Sequence, residues 1–422
     1  MGFREVLERQ KAELALRLGL RFVVRRTSLP SAGEQVTVVL GPRRSGKSFL
    51  CAHTVAAAGR FGYANFDDEL MVDLDKYDEL LAQIDTVYGS PKLLLLDEIQ
   101  NLARWELLVN RLQRQGYRLV VTGSNAHLLG SELATHLTGR HLPVVLFPFS
   151  FAEYLDATGQ QQAASAGLSR YLVAGGFPET LVTGVDARHY LTSLFQSVIY
   201  KDVVKRKHVR APEGIENLAR YLLSNCGCEY SLRGLTAVAR TASENTVGRY
   251  IGYLHEAFVH FSLSRYSTKV REQMKANRKA YAVDNGLANA VGFALSPNTG
   301  RLAENAVAIA LYRRKLEGAL DLFFWKSAQH EEVDFVVVQA QRPSQLIQVC
   351  WNLDQQKTLD RELRALLKAG AELRCTDLLV LTESLDETRT QEWFGIRGTV
   401  RFMPLWRWLL AADAPAAGAG TQ

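Results

Sequence analysis

Long hydrophobic runs are missing from this sequence. No stretch of the 422 residues approaches the roughly 18–20 uninterrupted apolar residues of a membrane helix. Its first residues, Met1-Gly2-Phe3-Arg4-Glu5, carry no basic-then-apolar signal region. Val6 stands where an N-myristoylation signal has Ser or Thr. No membrane partner is expected, and a cytoplasmic location is. Cysteine is scarce: Cys51, Cys226, Cys228, Cys350 and Cys375 are odd in number and form no CxxC pairs. A disulfide framework and a paired-cysteine zinc site are thereby excluded as expectations. There is little excess of either charge. Fifty basic against 44 acidic residues leave a net charge of +6, a mild basic lean that suits nucleic acid without requiring it. No internal repeat is present. What remains is ordinary globular material, 47% apolar and 22% charged, which excludes a largely disordered or collagen-like chain. At roughly 100–200 residues per domain the length allows two to four domains.

The β-branched run Gln35-Val36-Thr37-Val38-Val39-Leu40 reads as a buried strand. It enters Gly41-Pro42-Arg43-Arg44-Ser45-Gly46-Lys47-Ser48, a fit to G-x-x-x-x-G-K-[ST], and a helix-prone stretch follows from Phe49 to Ala58. Strand, loop and helix are the context this motif needs. Its glycines let backbone N–H groups curl around phosphate oxygens, and the helix N-terminus adds positive potential. Gly41 to Phe49 are therefore the expected nucleotide-binding residues, with ATP and Mg²⁺ as cofactors. Lys47 is expected at the β- and γ-phosphates, and Ser48 on the metal.

A second strand, Lys92-Leu93-Leu94-Leu95-Leu96, runs into Asp97-Glu98. Its continuous leucines suit a central parallel strand covered on both faces. Asp97 is the expected second support of the Mg²⁺ shell. Glu98 is the expected base for the attacking water. A third strand, Arg118–Thr122, ends in Gly123-Ser124-Asn125 and resembles the sensor strand of additional-strand P-loop ATPases. Asn125, or Ser124, would orient the water or touch the γ-phosphate.

The strings "LGPRRSGKSFL", "YANFDDE", "LLLLDEIQNLARWELLVNRL", "VVTGSNAHLLGSELATHLTGRHLPVVLFPFSFAEYL" and "YLVAGGFPE" together resemble prokaryotic AAA-type ATPases that carry a C-terminal domain of unknown function. This resemblance covers nearly the whole chain. It implies that Arg140, in "LTGR", is a finger acting in trans on the γ-phosphate of a neighbouring subunit. Arg43 and Arg44 are rivals, and a surface arginine capping a helix over Ser131–Leu137 is the plain alternative. A trans finger implies a homo-oligomer, a ring or filament, with a hexamer as one form.

Residues 1–28 read as an amphipathic helix and lead-in, 29–155 as the nucleotide core, and 156–210 as a helical lid ending in the basic run Lys201–Arg210. Within the lid, Ala174-Gly175-Gly176-Phe177-Pro178 separates two helices. Residues 211–287 read as a winged helix. Its helices are expected at Ile215–Leu223, from Ser231, and from Ser243. Strands at Phe258–Tyr266 and Ala280–Val283 flank a loop, Ser267–Lys279. That loop's Lys269, Arg271, Lys275, Arg278 and Lys279 are the candidate DNA contacts; a solvated hairpin or a protein-binding wing is the alternative. Residues 288–410 are similar to the PD-(D/E)xK nuclease-like fold. Glu304, Asp334 and Gln348 stand at its ligand positions. Cys350 stands at the lysine position and cannot supply a fixed cation, so nuclease activity is not expected. Residues 411–422 are Ala/Gly/Pro-rich and expected to be disordered.

The fold class expected is thus α/β: a P-loop AAA-type ATPase core with a helical lid, then a winged helix and a nuclease-like domain. The function expected is an ATP-driven oligomeric motor or remodeller on DNA, branched or replicating DNA being its most specific form. A nucleotide-gated signalling or assembly switch with a protein partner is one alternative, and an ATP-gated nuclease another.

Overall fold

The computed structural model describes residues 2–30, 35–72, 77–125, 141–293, 298–353 and 356–414. The chain divides into two compact units. One is Met1–Pro148 with Glu256–Phe258; the other is Phe149–His255 with Val259–Gln422.

The first unit is built on five parallel strands: β1 (Val36–Leu40), β2 (Gly62–Asn65), β3 (Leu93–Asp97), β4 (Arg118–Gly123) and β5 (His141–Val145). Their order is β2-β3-β4-β1-β5. Every residue of β1 and β3 is buried, as expected where helices cover both faces of a parallel sheet. The inserted strand β4 pairs with both neighbours, Val120 standing beside Thr37 on one side and Leu95 on the other. The helix Lys47–Ala57 buries Leu50, Cys51 and Val55 against Val39, Leu95 and Val120. Leu14, from the N-terminal helix Phe3–Leu18, joins the same cluster.

The second unit opens with the helices Phe151–Thr158, Ala164–Ala174, Pro178–Val182 and Ala187–Ser197, the last continued by a wider turn over Val198–Lys205. Ser150 and Glu153 cap the first helix reciprocally. The Gly175-Gly176 break is required by close packing. A Cβ on Gly176 would sit 2.1 Å from the Phe149 carbonyl oxygen. Its N–H instead donates to Asp284 Oδ2 at 2.7 Å.

Next come the helix Pro212–Ser224, strand β6 (Glu229–Tyr230), the helix Glu244–Glu256, β7 (His260–Ser264), the short helix Val270–Lys275 and β8 (Arg278–Ala282). The three strands form an antiparallel sheet in the order β6-β8-β7. Two expectations are corrected here. No α-helix opens at Ser231; residues 232–240 form successive turns. There Ser231 Oγ accepts the Gly234 N–H at 3.0 Å, a local side-chain bond that competes with helix formation. The segment 267–279 is not all loop: it holds a helical turn, and β8 starts at Arg278.

The rest of the unit is a six-stranded mixed sheet: β9 (Asp321–Lys326), β10 (Glu332–Gln339), β11 (Arg342–Val349), β12 (Leu378–Thr382), β13 (Glu387–Trp393) and β14 (Ile396–Pro404). Its order is β13-β14-β12-β11-β10-β9. The helix Gln356–Leu373 packs Leu359, Leu363, Leu366 and Leu367 over Val336, Leu346, Val380 and Phe402. The helix Leu405–Ala412 carries ordered structure through Ala411 and Ala412, into the stretch expected to be a tail; residues 415–422 lie outside the described residues. Among the described residues no helix is long and apolar enough to cross a membrane.

Candidate functional site

The loop after β1 turns because its glycines permit it. Gly41 has φ +148°, and a Cβ there would lie 2.1 Å from the Leu146 carbonyl oxygen. Gly46, at φ 95°, starts the helix in the left-handed region. Arg25, 9% exposed, braces the loop from behind, donating to the Ser45 carbonyl at 2.8 Å and the Phe147 carbonyl at 2.6 Å. Lys47 is buried and folded over the loop, its Nζ donating to the Gly41 and Pro42 carbonyls at 3.1 and 3.0 Å. Arg43 is half-buried and lies 3.6 Å from Asp67; Arg44 is exposed.

Sheet order brings the acids to this loop. Ser48 Oγ donates to Asp97 Oδ1 at 3.0 Å. The same oxygen accepts a short bond from Thr122 Oγ1, and Asp97 Oδ2 accepts from the Tyr63 hydroxyl at 3.2 Å. Tyr63 lies on β2 and Thr122 on β4, the two neighbours of β3. Glu98 follows with left-handed backbone, φ 51° and ψ 44°, a conformation that costs about 1–3 kcal/mol for a non-glycine residue and recurs at functional sites. Its N–H donates to Thr122 Oγ1 at 3.0 Å, and its Oε2 accepts from Gln100 Nε2 at 2.5 Å. Gln100 also reaches Ser124 Oγ at 3.4 Å.

These two acids titrate in opposite directions. Burial, then the Glu98 charge, push the Asp97 carboxyl above its ordinary value, against its hydroxyl bonds and Lys47. Burial would also raise Glu98. The Lys47 charge, the Gln100 bond and Arg43 outweigh it and hold Glu98 below the usual carboxylate range. A buried aspartate meeting a serine hydroxyl is a hard-oxygen donor set that fits Mg²⁺ sharing its shell with phosphate and water. An ionised glutamate next to it can accept a proton.

The structure therefore brings together Gly41 through Phe49, Asp97 and Glu98. Asn125 is buried immediately after β4, beside Ser124. Arg140 and the helix expected over Ser131–Leu137 lie outside the described residues. Tyr63, Thr122 and Gln100 were not singled out from sequence. The order of strands could have pointed to the first two, because it sets the ends of β2 and β4 on either side of Asp97.

Among the candidate DNA contacts, Lys269, Arg271, Lys275 and Arg278 are exposed, and Lys269 pairs with Glu272 at 2.9 Å. Lys279 is not one of them. It is 1% exposed, because successive strand residues face opposite sides and Arg278 takes the outward position. Its Nζ contacts Glu304, Glu332 and Asp334. Gln348 accepts the Asp334 N–H at 3.1 Å and donates to Glu362 at 2.5 Å. Burial pushes the Cys350 thiol up to about 11. Among the described residues no group of three or more His, Cys, Asp or Glu side chains is arranged to hold a metal ion.

Residues 33–155 match the family model of an AAA domain. Residues 165–299 and 299–408 match two domains of unknown function, DUF8612 and DUF4143. An uncharacterised protein of Methanocaldococcus jannaschii is 29% identical over 399 residues, 89% of this chain and 88% of the relative. Another, from Haemophilus influenzae, is 29% identical over 328 residues, 72% of this chain and 80% of the relative. A Walker-type ATPase of Pyrococcus abyssi aligns at 13% identity over 68% of this chain and 95% of that one, with a TM-score of 0.39.

Proposed function

We propose that this chain, whose residues 33–155 form an AAA-type P-loop ATPase domain, hydrolyses ATP with Mg²⁺ and uses the energy to act on DNA as a homo-oligomer. The observation that carries the hydrolytic part is the meeting of Ser48, Asp97 and Glu98 beside Lys47. Lys47 exchanges its two carbonyl partners for the β- and γ-phosphates. Ser48 and Asp97 hold the metal, which when bound neutralises charge on the phosphate oxygens. Glu98 takes the proton of the attacking water. Asn125 orients that water, and Arg140 contributes from a neighbouring subunit.

DNA as the partner is supported by Lys269, Arg271, Lys275 and Arg278, four exposed cations around one helical turn. The surrounding order of helix, strand, turns, helix and two antiparallel strands is compatible with a winged helix. We assign 1–28 to a lead-in, 29–155 to the core, 156–210 to a lid, 211–287 to the winged helix and 288–410 to a nuclease-like domain without nuclease activity. Branched or replicating DNA is the substrate this reading favours. A second reading, a nucleotide-gated switch that binds protein, is favoured by Val270 and Met274, exposed at 67% and 76% on the same short helix.

Salt dependence separates the two. With about four phosphate contacts, raising salt from about 50 to about 200 mM should weaken duplex or forked DNA binding about 10²-fold. Replacing the four cations should remove most of that slope. Affinity that barely changes with salt would defeat the DNA reading. DNA-independent hydrolysis with a protein partner captured through Val270 and Met274 would favour the switch.

A further inference from the structure

Lys279 is among the largest fully buried side chains in the described protein, where lysine is almost never placed unpaired. Three carboxylates converge on it. Its Nζ is 2.6 Å from Glu332 Oε1, 3.0 Å from Asp334 Oδ1 and 3.1 Å from Glu304 Oε1. Glu332 and Asp334 are two apart on β10 and so share a face. Glu304 comes from the helix Thr299–Leu316. Two of the three acids are also held by other groups. Asp334 Oδ2 accepts the Val349 N–H at 3.0 Å, and Gln348 Oε1 accepts the Asp334 N–H. Glu304 accepts from the Tyr281 hydroxyl at 2.7 Å. Lys279 and Tyr281 are themselves two apart on β8 and face the same way. The ring of Phe324 lies 5.8 Å from the ammonium.

The charge does not balance. Beyond the three acids, Glu229 approaches through Lys326, whose Nζ is 3.9 Å from Glu332. Four carboxylates therefore face two ammonium groups. Carboxylate oxygens are the donors a hard divalent cation takes, but with the ammonium between them these three are not arranged to hold one. The point between them is filled by an ammonium carried on a different strand.

We infer that this cluster is a divalent-cation centre whose cation has been replaced from within: the Lys279 ammonium occupies the place that Glu304, Glu332 and Asp334 would give to Mg²⁺ or Mn²⁺. The intact centre takes no metal and so activates no water for phosphodiester cleavage. It also ties residues 165–299, which supply the ammonium, to residues 299–408, which supply the carboxylates. This inference does not depend on the ATPase reading, because all these groups lie within the second unit.

The test uses the nucleotide-free full chain with Mn²⁺ as probe, reading bound metal by electron paramagnetic resonance and unfolding by a thermal scan. Wild type should show no Mn²⁺ binding that Asp334→Asn removes, and no Mn²⁺ effect on Tm. Lys279→Ala should have a lowered Tm in EDTA, bind one further Mn²⁺ and regain several degrees of Tm with it. Lys279→Ala with Asp334→Asn should lose both responses. Lys279→Gln, which keeps a polar group and leaves the charge out, should behave as Lys279→Ala. Asp334-dependent Mn²⁺ binding by wild type would overturn the inference. So would folded Lys279 variants that bind no extra metal, or variants that fail to fold in Mn²⁺ and EDTA alike.

Discussion

Glu98→Gln is the sharpest perturbation of the candidate site. Glutamine has the same size, and its amide oxygen can still accept from Gln100 Nε2, now 2.5 Å from Glu98 Oε2. The left-handed backbone at φ 51° is not asked to change. What disappears is a negative charge that Lys47 and Arg43 keep ionised against burial. A positioned base contributes about 10²–10⁴ in rate. At about 1.4 kcal/mol per decade, Glu98→Gln should raise the barrier by about 3–5 kcal/mol. Binding should respond differently. The Glu98 charge is the second cause, after burial, of the raised Asp97 carboxyl. Removing it lets Asp97 ionise more readily beside Ser48, so ATP·Mg²⁺ should bind as well as before or more tightly. The assay pairs phosphate release at saturating ATP with equilibrium ATP binding. Turnover within about threefold of wild type would refute the assignment of Glu98 as base.

Two further predictions rest on the second unit. Gly176→Ala must move the backbone away from the Phe149 carbonyl, 2.1 Å from the new Cβ. It should lower unfolding stability by about 1–3 kcal/mol in a denaturant titration. Asp284, buried and pushed up to about 6 by that burial against its bonds from the Gly176 and Leu287 N–H groups, binds its proton more tightly folded than unfolded. Its contribution to stability therefore falls as pH rises from about 4 to about 6 and is flat above that. The stability advantage of wild type over Asp284→Asn should shrink across that window; an advantage that grows with pH would contradict the sign.

The candidate site was legible because its residues are written contiguously. Gly41 to Ser48 fix a loop by spacing, and the leucines of β3 announce a buried strand that ends on two acids. Tyr63 and Thr122 were hidden because only sheet order sets β2 and β4 on either side of Asp97. Lys279 was misjudged through register. With the strand taken to start at Ala280, the lysine joins the exposed loop. Starting it at Arg278 turns Arg278 outward and Lys279 inward, since side chains alternate with a period of two. The same blindness hid the charge relationship: Cys350, just past the end of β11, offers no cation, while a cation from β8, some 70 residues earlier in sequence, lies against Asp334. Ser231 misled in a different way, since its hydroxyl serves a turn at Gly234 and no helix opens there.

The central claim is that the loop Gly41–Ser48, with Asp97 and Glu98, captures and splits ATP. The most direct measurement is ATP binding and phosphate release by folded wild type beside Lys47→Ala, in Mg²⁺ and in EDTA. Wild type should bind and hydrolyse ATP only with Mg²⁺, and Lys47→Ala should lose affinity. Folded wild type that neither retains nor splits ATP would contradict the account.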